Sequence, residues 1–346
     1  MNNPLKIGVI GLGMGRTHIQ NFKKDPRVTV VAAVDLDEKK LQEAKAEFGL
    51  KCVFTNASEM LSSGLLDAVS IAVPNKYHKP LAIEALKADL HVLAEKPMAM
   101  NLVEAQAIQH AAIASKKNFM INFSHRYDPT IQSLKAQVKA GVLGNIYYGR
   151  TVWHRRRGIP GFGGWFGNKS LSGGGPLIDL GVHRIDMAMY LMDYPNPISV
   201  YGVTFDPIAK CEAIKQNKHF SVEDCAAGMV RFENGATLMV EASWALNQKE
   251  PEHMLTQLYG TQGGLLQRNI GGGYKYEAEI YLESQGCHFT QSIDIHANHE
   301  SSSYKEFIDS IIEKREPTAP AEHGIRIQKI LDGLYQSAEN GCEFRF

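Results

Sequence analysis

The chain has 346 residues, which at roughly 150 residues per domain predicts two domains and excludes one small module. Lys plus Arg number 37 and Asp plus Glu number 37, so the formal net charge is zero, which argues against a nucleic-acid partner. Hydrophobic residues at 44% and charged residues at 21% exclude a largely disordered chain.

Cysteine usage and hydropathy bear on the compartment. The five cysteines are odd in number and show no Cys-x-x-Cys spacing, which predicts reduced thiols in a cytoplasmic protein. No basic segment precedes an apolar stretch after Met1, so we expect no secretory signal. No apolar run approaches the roughly 20 residues of a membrane helix, so we expect no membrane partner.

The first third of the chain alternates short apolar runs with helical stretches, a pattern typical of parallel strands. The predicted strands are Leu5–Ile10, Val28–Val34, Lys51–Phe54, Asp67–Val73, Leu90–Ala94 and Phe119–Phe123. The predicted helices cover about 16–23, 37–49, 57–63, 79–88 and 102–116. Residues 1–123 are therefore predicted to form a Rossmann-type, doubly wound α/β domain whose ligand crevice lies at the carboxyl ends of the strands.

After residue 123 the pattern changes to strands with fewer helices. Helices are predicted at about 130–140, 173–192 and 324–339, and strands at Ile198–Phe205, Ala226–Phe232, Thr237–Trp244 and Ile280–Leu282. The dipeptide Asn234-Gly235 predicts a hairpin between two of these strands. Residues 124–346 are therefore predicted to form a second, α+β domain with a largely antiparallel sheet and a few helices.

A glycine-rich turn lies between the first predicted strand and the first predicted helix, where glycines let the backbone approach a pyrophosphate. Its candidate cofactor-binding residues are Gly11, Gly13, Met14, Gly15 and Arg16. The third glycine comes one residue earlier than in Gly-x-Gly-x-x-Gly, which leaves the hydrogen bonding of the turn open. Asp35 ends the second strand, and a carboxylate there accepts ribose hydroxyls and favours NAD over NADP. Lys39 and Lys40 soften that preference, so NADP stays open.

Further segments carry a family resemblance. They are Val73-Pro74-Asn75 with His78, Ala94-Glu95-Lys96-Pro97, the segment from Gly173 through Asp179 to His183 and Asp186, and the tail Tyr335–Gly341. In this order, with the glycine-rich turn, they resemble the Gfo/Idh/MocA family of glucose-fructose oxidoreductases and inositol dehydrogenases over nearly the whole chain.

The resemblance implies a Rossmann domain followed by an α+β domain, residues 124–346, that binds the substrate and whose open sheet forms a homodimer or homotetramer. It also implies NAD- or NADP-dependent oxidation of a secondary alcohol on a sugar, cyclitol or related polyol. The cofactor contacts that it implies are Pro74, Asn75, His78, Glu95, Lys96 and Pro97. It further implies a cis peptide between Lys96 and Pro97.

Three residues are candidates for the catalytic chemistry and for substrate contact. Asp179 and His183 are four apart on a predicted helix and would share a face. Removal of a hydride from an alcohol needs a base for the hydroxyl proton, which we assign to His183. Lys96 would stabilise the charge on the reacting oxygen, and Asp179 would orient the imidazole or a neighbouring hydroxyl. Electrostatics alone would also allow Lys96 and His183 to exchange roles, and a solvated lysine or a chance polar helix face is the alternative interpretation.

Other polar residues are weaker candidates for substrate contact. Arg157 ends a basic run, and Trp165 lies in the glycine-rich loop Gly158–Gly175, which could close over a sugar. Solvent-exposed strand residues are the alternative interpretation. Arg126, just after the sixth strand, is a further candidate.

The segment His296, His299 and Glu300 invites a metal interpretation. Three such residues before an apolar helix are more often solvated capping groups. We therefore expect no catalytic metal.

The leading hypothesis is an NAD-dependent dehydrogenase acting on a polyhydroxylated ring. One alternative is an NAD-dependent glycosidase that oxidises a hydroxyl transiently, eliminates the glycoside and returns the hydride. Another is a non-catalytic NAD-binding sensor, against which the joint presence of Lys96, Asp179 and His183 argues.

Overall fold

The computed structural model describes residues 4–294 and 301–346. None of the helices in these ranges has the length and apolar character needed to cross a bilayer. The chain divides into two compact units, one of Met1–Phe123 with Ser302–Ile325 and one of Ser124–Ser301 with Arg326–Phe346. Residues 302–325 thus pack with the first unit, whereas the sequence pattern predicted a second domain running from 124 to 346.

The first unit is built on a parallel sheet. Its strands are β1 (Leu5–Ile10), β2 (Val28–Val34), β3 (Cys52–Phe54), β4 (Ala68–Ile71), β5 (His91–Ala94) and β6 (Phe119–Ile121). Their order is β3-β2-β1-β4-β5-β6, and every neighbouring pair is parallel. The strand order reverses between β1 and β4, which is where such sheets bind their ligands. The predicted doubly wound fold is confirmed.

The second unit is built on a larger sheet. Its strands are β7 (Ile146–Arg155), β8 (Pro197–Phe205), β9 (Cys225–Phe232), β10 (Thr237–Ser243), β11 (Glu252–Gly260), β12 (Gly263–Ile270), β13 (Lys275–Ser284), β14 (Cys287–Ser292) and β15 (Phe344–Arg345). Their order is β14-β13-β12-β11-β7-β10-β9-β8-β15. β7 and β10 pair in parallel, and the other neighbours are antiparallel. The largely antiparallel sheet is confirmed, and β9 and β10 form the hairpin predicted from Asn234-Gly235.

Helices connect and cover the strands. Within residues 4–294 and 301–346 the α-helices are α1 (Gly15–Phe22), α2 (Glu38–Phe48), α3 (Ala57–Leu61), α4 (His78–Lys87), α5 (Leu102–Ser115), α6 (Pro129–Lys139), α7 (Lys169–Ser172), α8 (Val182–Leu191), α9 (Pro207–Lys215), α10 (Ser303–Ile312) and α11 (Ala321–Asn340). The Asp37 side chain accepts hydrogen bonds from two backbone N–H groups at the start of α2, and Gly49 ends that helix with a φ of 68°.

β11 and β12 are among the strands of the second sheet that escaped prediction, and polar side chains occupy their buried face. Thr256 on β11 and Gln267 on β12 are both fully buried. The Thr256 hydroxyl lies 2.9 Å from that of Thr151, and Gln267 Oε1 accepts a hydrogen bond from Arg184 at 3.0 Å. These polar pairs interrupt the alternation of apolar residues by which a half-buried strand is identified.

Candidate active site

The glycine-rich turn joins β1 to α1, and its three glycines have different surroundings. Gly11 has a φ of 89°, and a Cβ there would lie 2.3 Å from the carbonyl oxygen of Ala72. A Cβ on Gly15 would lie 2.8 Å from Val9 Cγ1, whereas a Cβ on Gly13 would meet no atom within 4 Å. Gly11 therefore makes the tight turn, Gly15 lets the helix pack on the strand, and Gly13 leaves the backbone open to a phosphate group. The early third glycine keeps the packing function of the wider motif.

The structure brings Asp35 to this turn. Its Oδ2 accepts the backbone N–H of Leu12 at 2.7 Å, and its Oδ1 accepts the N–H of Asp37 at 3.0 Å. These bonds hold the carboxylate at the end of β2, where acceptance of ribose hydroxyls would favour NAD. The turn and the carboxylate together fit NAD.

Two other predicted cofactor residues lie at the start of α1. Met14 precedes the helix and is 58% exposed. Arg16 forms an ion pair with Glu47 on α2, and its guanidinium lies 5.4 Å from the ring centroid of Phe48. Arg16 is therefore directed at α2 in this structure, and its contact with the cofactor stays a prediction.

The segment after β4 contains Pro74, Asn75 and His78. Asn75 is buried and begins a single 3₁₀ turn, which His78 follows as the first residue of α4. His78 is fully buried, with Nδ1 2.8 Å from the carbonyl oxygen of Pro97 and Nε2 2.9 Å from that of Val73. Burial lowers the pKa of His78, although both carbonyl oxygens act in the opposite direction. The ring joins the segments after β4 and β5 from inside the unit, which argues against the predicted contact of this imidazole with the cofactor.

The segment after β5 contains Glu95, Lys96 and Pro97, and the Lys96–Pro97 peptide is cis, as the resemblance implied. Glu95 Oε1 lies 2.9 Å from His18 Nε2 and accepts a hydrogen bond from Asn122 at 2.6 Å. Glu95 Oε2 accepts the backbone N–H of Lys96 at 3.2 Å. Burial alone would raise the pKa of Glu95, but His18, Lys96 and Asn122 bring it below its usual value. Glu95 therefore stays ionised and fixes the backbone that carries Lys96.

Asp179 and His183 lie on one helical segment of the second unit, but the segment is not α-helical throughout. Leu177–Gly181 forms a π turn, and α8 begins at Val182. The predicted α-helical spacing therefore does not apply to Asp179, which lies in the wider turn. Asp179 Oδ2 accepts a hydrogen bond from Trp244 Nε1 at 3.0 Å. Trp244, which directly follows β10, is a candidate site residue that sequence reasoning missed.

Three ring side chains, His125, Trp153 and Tyr276, form an aromatic cluster at His183. The ring centroids of His125 and Trp153 lie 4.7 and 5.6 Å from that of His183, and the Tyr276 centroid lies 6.5 Å from that of His125. The indole N–H of Trp153 donates to Glu252 Oε1 at 2.6 Å. Rings held by polar partners in this way suit a ligand with both apolar and polar faces, such as a sugar. The cluster escaped prediction because its members come from separate elements.

Arg126 has a different environment from the one predicted. It is 1% exposed, and its Nε and NH2 donate to the two carboxylate oxygens of Asp186 at 2.9 and 2.6 Å. Burial alone would lower the pKa of Arg126, but Asp186, Tyr194 and Tyr127 together raise it above its usual value. The guanidinium is thus engaged inside the unit, which argues against the predicted contact of Arg126 with the substrate.

Arg157 and Trp165 lie in exposed and half-buried positions of the second unit. Arg157 NH2 donates to Asn247 Oδ1 at 2.8 Å. Trp165 stacks on Phe166 with ring centroids 3.8 Å apart, and Phe166 contacts the edge of Trp244 at 6.3 Å. The loop is thus linked to Trp244, the partner of Asp179, and both residues stay candidates for substrate contact.

Over the described ranges 4–294 and 301–346, no three His, Cys, Asp or Glu side chains are grouped so that they could hold a metal ion. His296, His299 and Glu300 lie outside the described residues.

Comparison with known proteins gives consistent matches. Residues 5–123 match the family described as "Oxidoreductase family, NAD-binding Rossmann fold", and residues 131–266 match the "GFO/IDH/MocA C-terminal domain". D-glucoside 3-dehydrogenase of Escherichia coli (strain K12) is 34% identical over 349 residues, which cover 98% of this chain and 97% of that protein. Myo-inositol 2-dehydrogenase of Thermotoga maritima is 24% identical and covers 92% of both chains. The structure of levoglucosan dehydrogenase in complex with NADH superposes with a TM-score of 0.87 at 22% identity, covering 99% of each chain.

Proposed function

This chain belongs to the Gfo/Idh/MocA family of oxidoreductases, and from that premise we propose that it oxidises a secondary ring hydroxyl of a glycoside. It is an oxidoreductase with NAD as its cofactor. One observation carries the proposal: Asp179 and His183 lie on one segment beside the aromatic cluster. The 34% identity to a D-glucoside 3-dehydrogenase over 98% of the chain supports a glucoside as the substrate.

Each catalytic candidate has a distinct task in this proposal. His183 takes the hydroxyl proton as the carbon–oxygen single bond becomes a carbonyl. Lys96 donates a hydrogen bond to the same oxygen and stabilises its developing negative charge. Asp179, held by Trp244, orients the imidazole or a neighbouring substrate hydroxyl. NAD, when bound, accepts the hydride that leaves the carbon.

The cofactor-binding residues follow from the glycine-rich turn and the strand ends beside it. The backbone at Gly13 and the first turn of α1 would approach the pyrophosphate. Asp35 would accept the ribose hydroxyls, which disfavours the 2′-phosphate of NADP. Pro74 and Asn75, which follow β4, would contact the cofactor near Lys96.

The open face of the second sheet supports a homo-oligomer. Tyr148 and Tyr259 stack on this face with ring centroids 5.5 Å apart, and Tyr201 on the same face is 44% exposed. α8 contacts the opposite face, where Thr151 Oγ1 donates to the carbonyl oxygen of Arg184. The same face carries the Arg150–Glu241 ion pair, and an exposed sheet face that combines aromatic and charged side chains is suited to an interface between identical subunits. Sedimentation of the purified protein as a monomer would contradict this proposal.

The cysteines support a cytoplasmic location. All five are free, and Cys211, Cys287 and Cys342 are exposed. Exposed thiols persist where the compartment is reducing.

The function is tested with glucosides labelled at one carbon. The enzyme is incubated with NAD and a methyl glucoside that carries deuterium on the oxidised carbon. We expect deuterated NADH and a keto-glycoside as products, formed more slowly than from the unlabelled glucoside. Deuterium on a neighbouring carbon is the matched control and should leave both NADH and rate unchanged. Because the oxidised carbon is proposed by similarity, each ring position is labelled in turn.

Other results would support different functions. Release of free sugar without net NADH would support the transient-oxidation glycosidase. NAD binding with no turnover on any glycoside, inositol or aldose would support the sensor. The variants Lys96→Ala and His183→Ala should bind NAD and fail to turn over, and full turnover in both would overturn the catalytic assignment.

A further inference from the structure

The backbone that leads to Asp179 and His183 has an unusual course. α7 ends at Ser172, Gly173 follows with a φ of 85°, and the π turn Leu177–Gly181 precedes α8. A π turn, with backbone hydrogen bonds from residue i to residue i+5, is rare in proteins. We therefore expect side chains from other segments to hold it in place. Which side chains hold this one decides where Asp179 points.

Glu223 binds the start of this turn. Its Oε2 accepts the backbone N–H of Gly175 at 2.9 Å, and its Oε1 accepts that of Leu177 at 3.1 Å. Glu223 is 8% exposed, and its Oε1 also accepts the hydroxyl of Tyr335 at 2.7 Å. Burial raises the pKa of Glu223, while the bonds from Tyr335, Gly175 and Leu177 oppose that shift. One buried carboxylate thus binds the backbone at both ends of residues 175–177, the short link that leads into the π turn.

Adjacent glycines make room for these two side chains. A Cβ on Gly174 would lie 2.1 Å from the Tyr335 hydroxyl and 2.6 Å from its ring carbon Cζ. A Cβ on Gly175 would lie 2.1 Å from the carbonyl oxygen of Glu223. Residues 174 and 175 must therefore be glycine, because any Cβ there would collide with Tyr335 or with the backbone of Glu223.

The same link connects to Asp179. The backbone N–H of Asp179 donates to the carbonyl oxygen of Gly175 at 3.1 Å, so Gly175 is bound by Glu223 and itself binds Asp179. On the other side, the backbone N–H of Trp244 donates to the carbonyl oxygen of Asp224 at 2.9 Å, and its indole holds the Asp179 carboxylate. Glu223 and its neighbour Asp224 thus connect to Asp179 by two separate routes.

We propose that Glu223 and Tyr335 are positioning residues, which set the direction of Asp179 and His183 through Gly175 and the π turn. The proposal rests on the proposed function, in which those two residues act on the substrate. It assigns a task to the tail segment Tyr335–Gly341, which the catalytic assignment leaves unexplained. Tyr335 supplies the hydroxyl that fixes the Glu223 carboxylate against the backbone.

The test uses Tyr335→Phe, which removes one hydroxyl, and Glu223→Gln, which sets an amide N–H₂ against a backbone N–H. Tyr194→Phe is the matched control, because the Tyr194 hydroxyl also donates to a buried carboxylate, that of Asp186. The kcat of Tyr335→Phe and of Glu223→Gln should fall by about tenfold or more, since a displacement of about 1 Å can cost ~10²-fold in rate. KM and the Kd for NAD should change much less. Tyr194→Phe should keep kcat even where its Tm falls.

A spectroscopic signal separates positioning from general stability. The chain has three tryptophans, so its indole N–H groups give three resolvable ¹H–¹⁵N signals, and Trp244→Phe identifies the one bonded to Asp179. That signal should move in Tyr335→Phe and stay in Tyr194→Phe. An unmoved signal with wild-type kcat in Tyr335→Phe, while Asp179→Asn and His183→Ala are inactive, would overturn the proposal. Full activity in Asp179→Asn and His183→Ala would instead refute the proposed function, and the indole signal would still decide the positioning.

Discussion

Replacement of Gly13 by alanine should separate cofactor binding from folding. A Cβ at Gly13 meets no protein atom within 4 Å, and the residue does not have a positive φ that only glycine tolerates. Gly13→Ala should therefore keep the free energy of unfolding or raise it by about 0.4–1 kcal/mol. At Gly11, with its φ of 89° and a Cβ 2.3 Å from Ala72 O, alanine should cost about 2–5 kcal/mol from backbone strain and overpacking.

Gly13→Ala should weaken NAD binding although it does not weaken folding. The new methyl would occupy the space through which the pyrophosphate approaches, and we expect a Kd for NAD raised about 10–100-fold, or ~1.4–2.7 kcal/mol. Titration calorimetry measures that Kd directly. At 100 times the wild-type Kd, NAD should stabilise the wild type by about 2.7 kcal/mol and a tenfold weaker binder by about 1.4 kcal/mol.

A second glycine provides the control. Gly273 also has open space around its missing Cβ but lies in the second unit, so Gly273→Ala should leave NAD affinity unchanged. Wild-type NAD affinity in a folded Gly13→Ala variant would refute the reasoning, because the backbone at Gly13 would then not lie against the cofactor.

Three further predictions concern charged residues. Asp35→Ser should weaken NAD binding and shift the ratio of the Kd values toward NADP, since the ribose acceptor and the repulsion of a 2′-phosphate are both lost; titration with each cofactor measures this. The lowered pKa of Glu95 means that its contribution to stability is present above the usual value of about 4.3 and is lost as pH falls through the folded value. The Tm difference between wild type and Glu95→Gln should therefore narrow when calorimetry is extended from pH 7 to pH 3. Arg126→Leu leaves Asp186 buried without its cation and should cost about 3–5 kcal/mol in urea unfolding, while KM of the remaining folded enzyme is unchanged.

Sequence patterns predicted the structure correctly where it depends on residues that are close together in the chain. The strand, glycine turn, helix and Asp35 of the first unit are a local arrangement, and the structure places Asp35 against the turn as expected. The family motifs led to Lys96, Asp179 and His183, whose catalytic roles stay predictions.

Sequence patterns failed where contacts join distant segments. His18 and Glu95 are 77 positions apart, and Glu223 and Tyr335 are 112 apart, so neither pair leaves a periodic signal. The π turn at Asp179 also escaped prediction, because it is held by such a distant carboxylate and not by local propensity.

Residues 302–325 belong to the first unit but are synthesised after most of the second unit, which affects folding during translation. In the finished unit, Tyr304 packs on His18, and the outer edge of β6 is covered where Ile121 donates its N–H to Ala319 at 3.0 Å. At ribosomal speeds of about 5–20 residues per second, roughly 10–40 s pass between synthesis of Phe123 and of that covering segment. During this interval the nascent sheet presents an open strand edge, the feature through which unfinished chains pair wrongly with one another. Slow chain elongation or crowded polysomes should therefore reduce the yield of active enzyme more than they reduce synthesis of the chain.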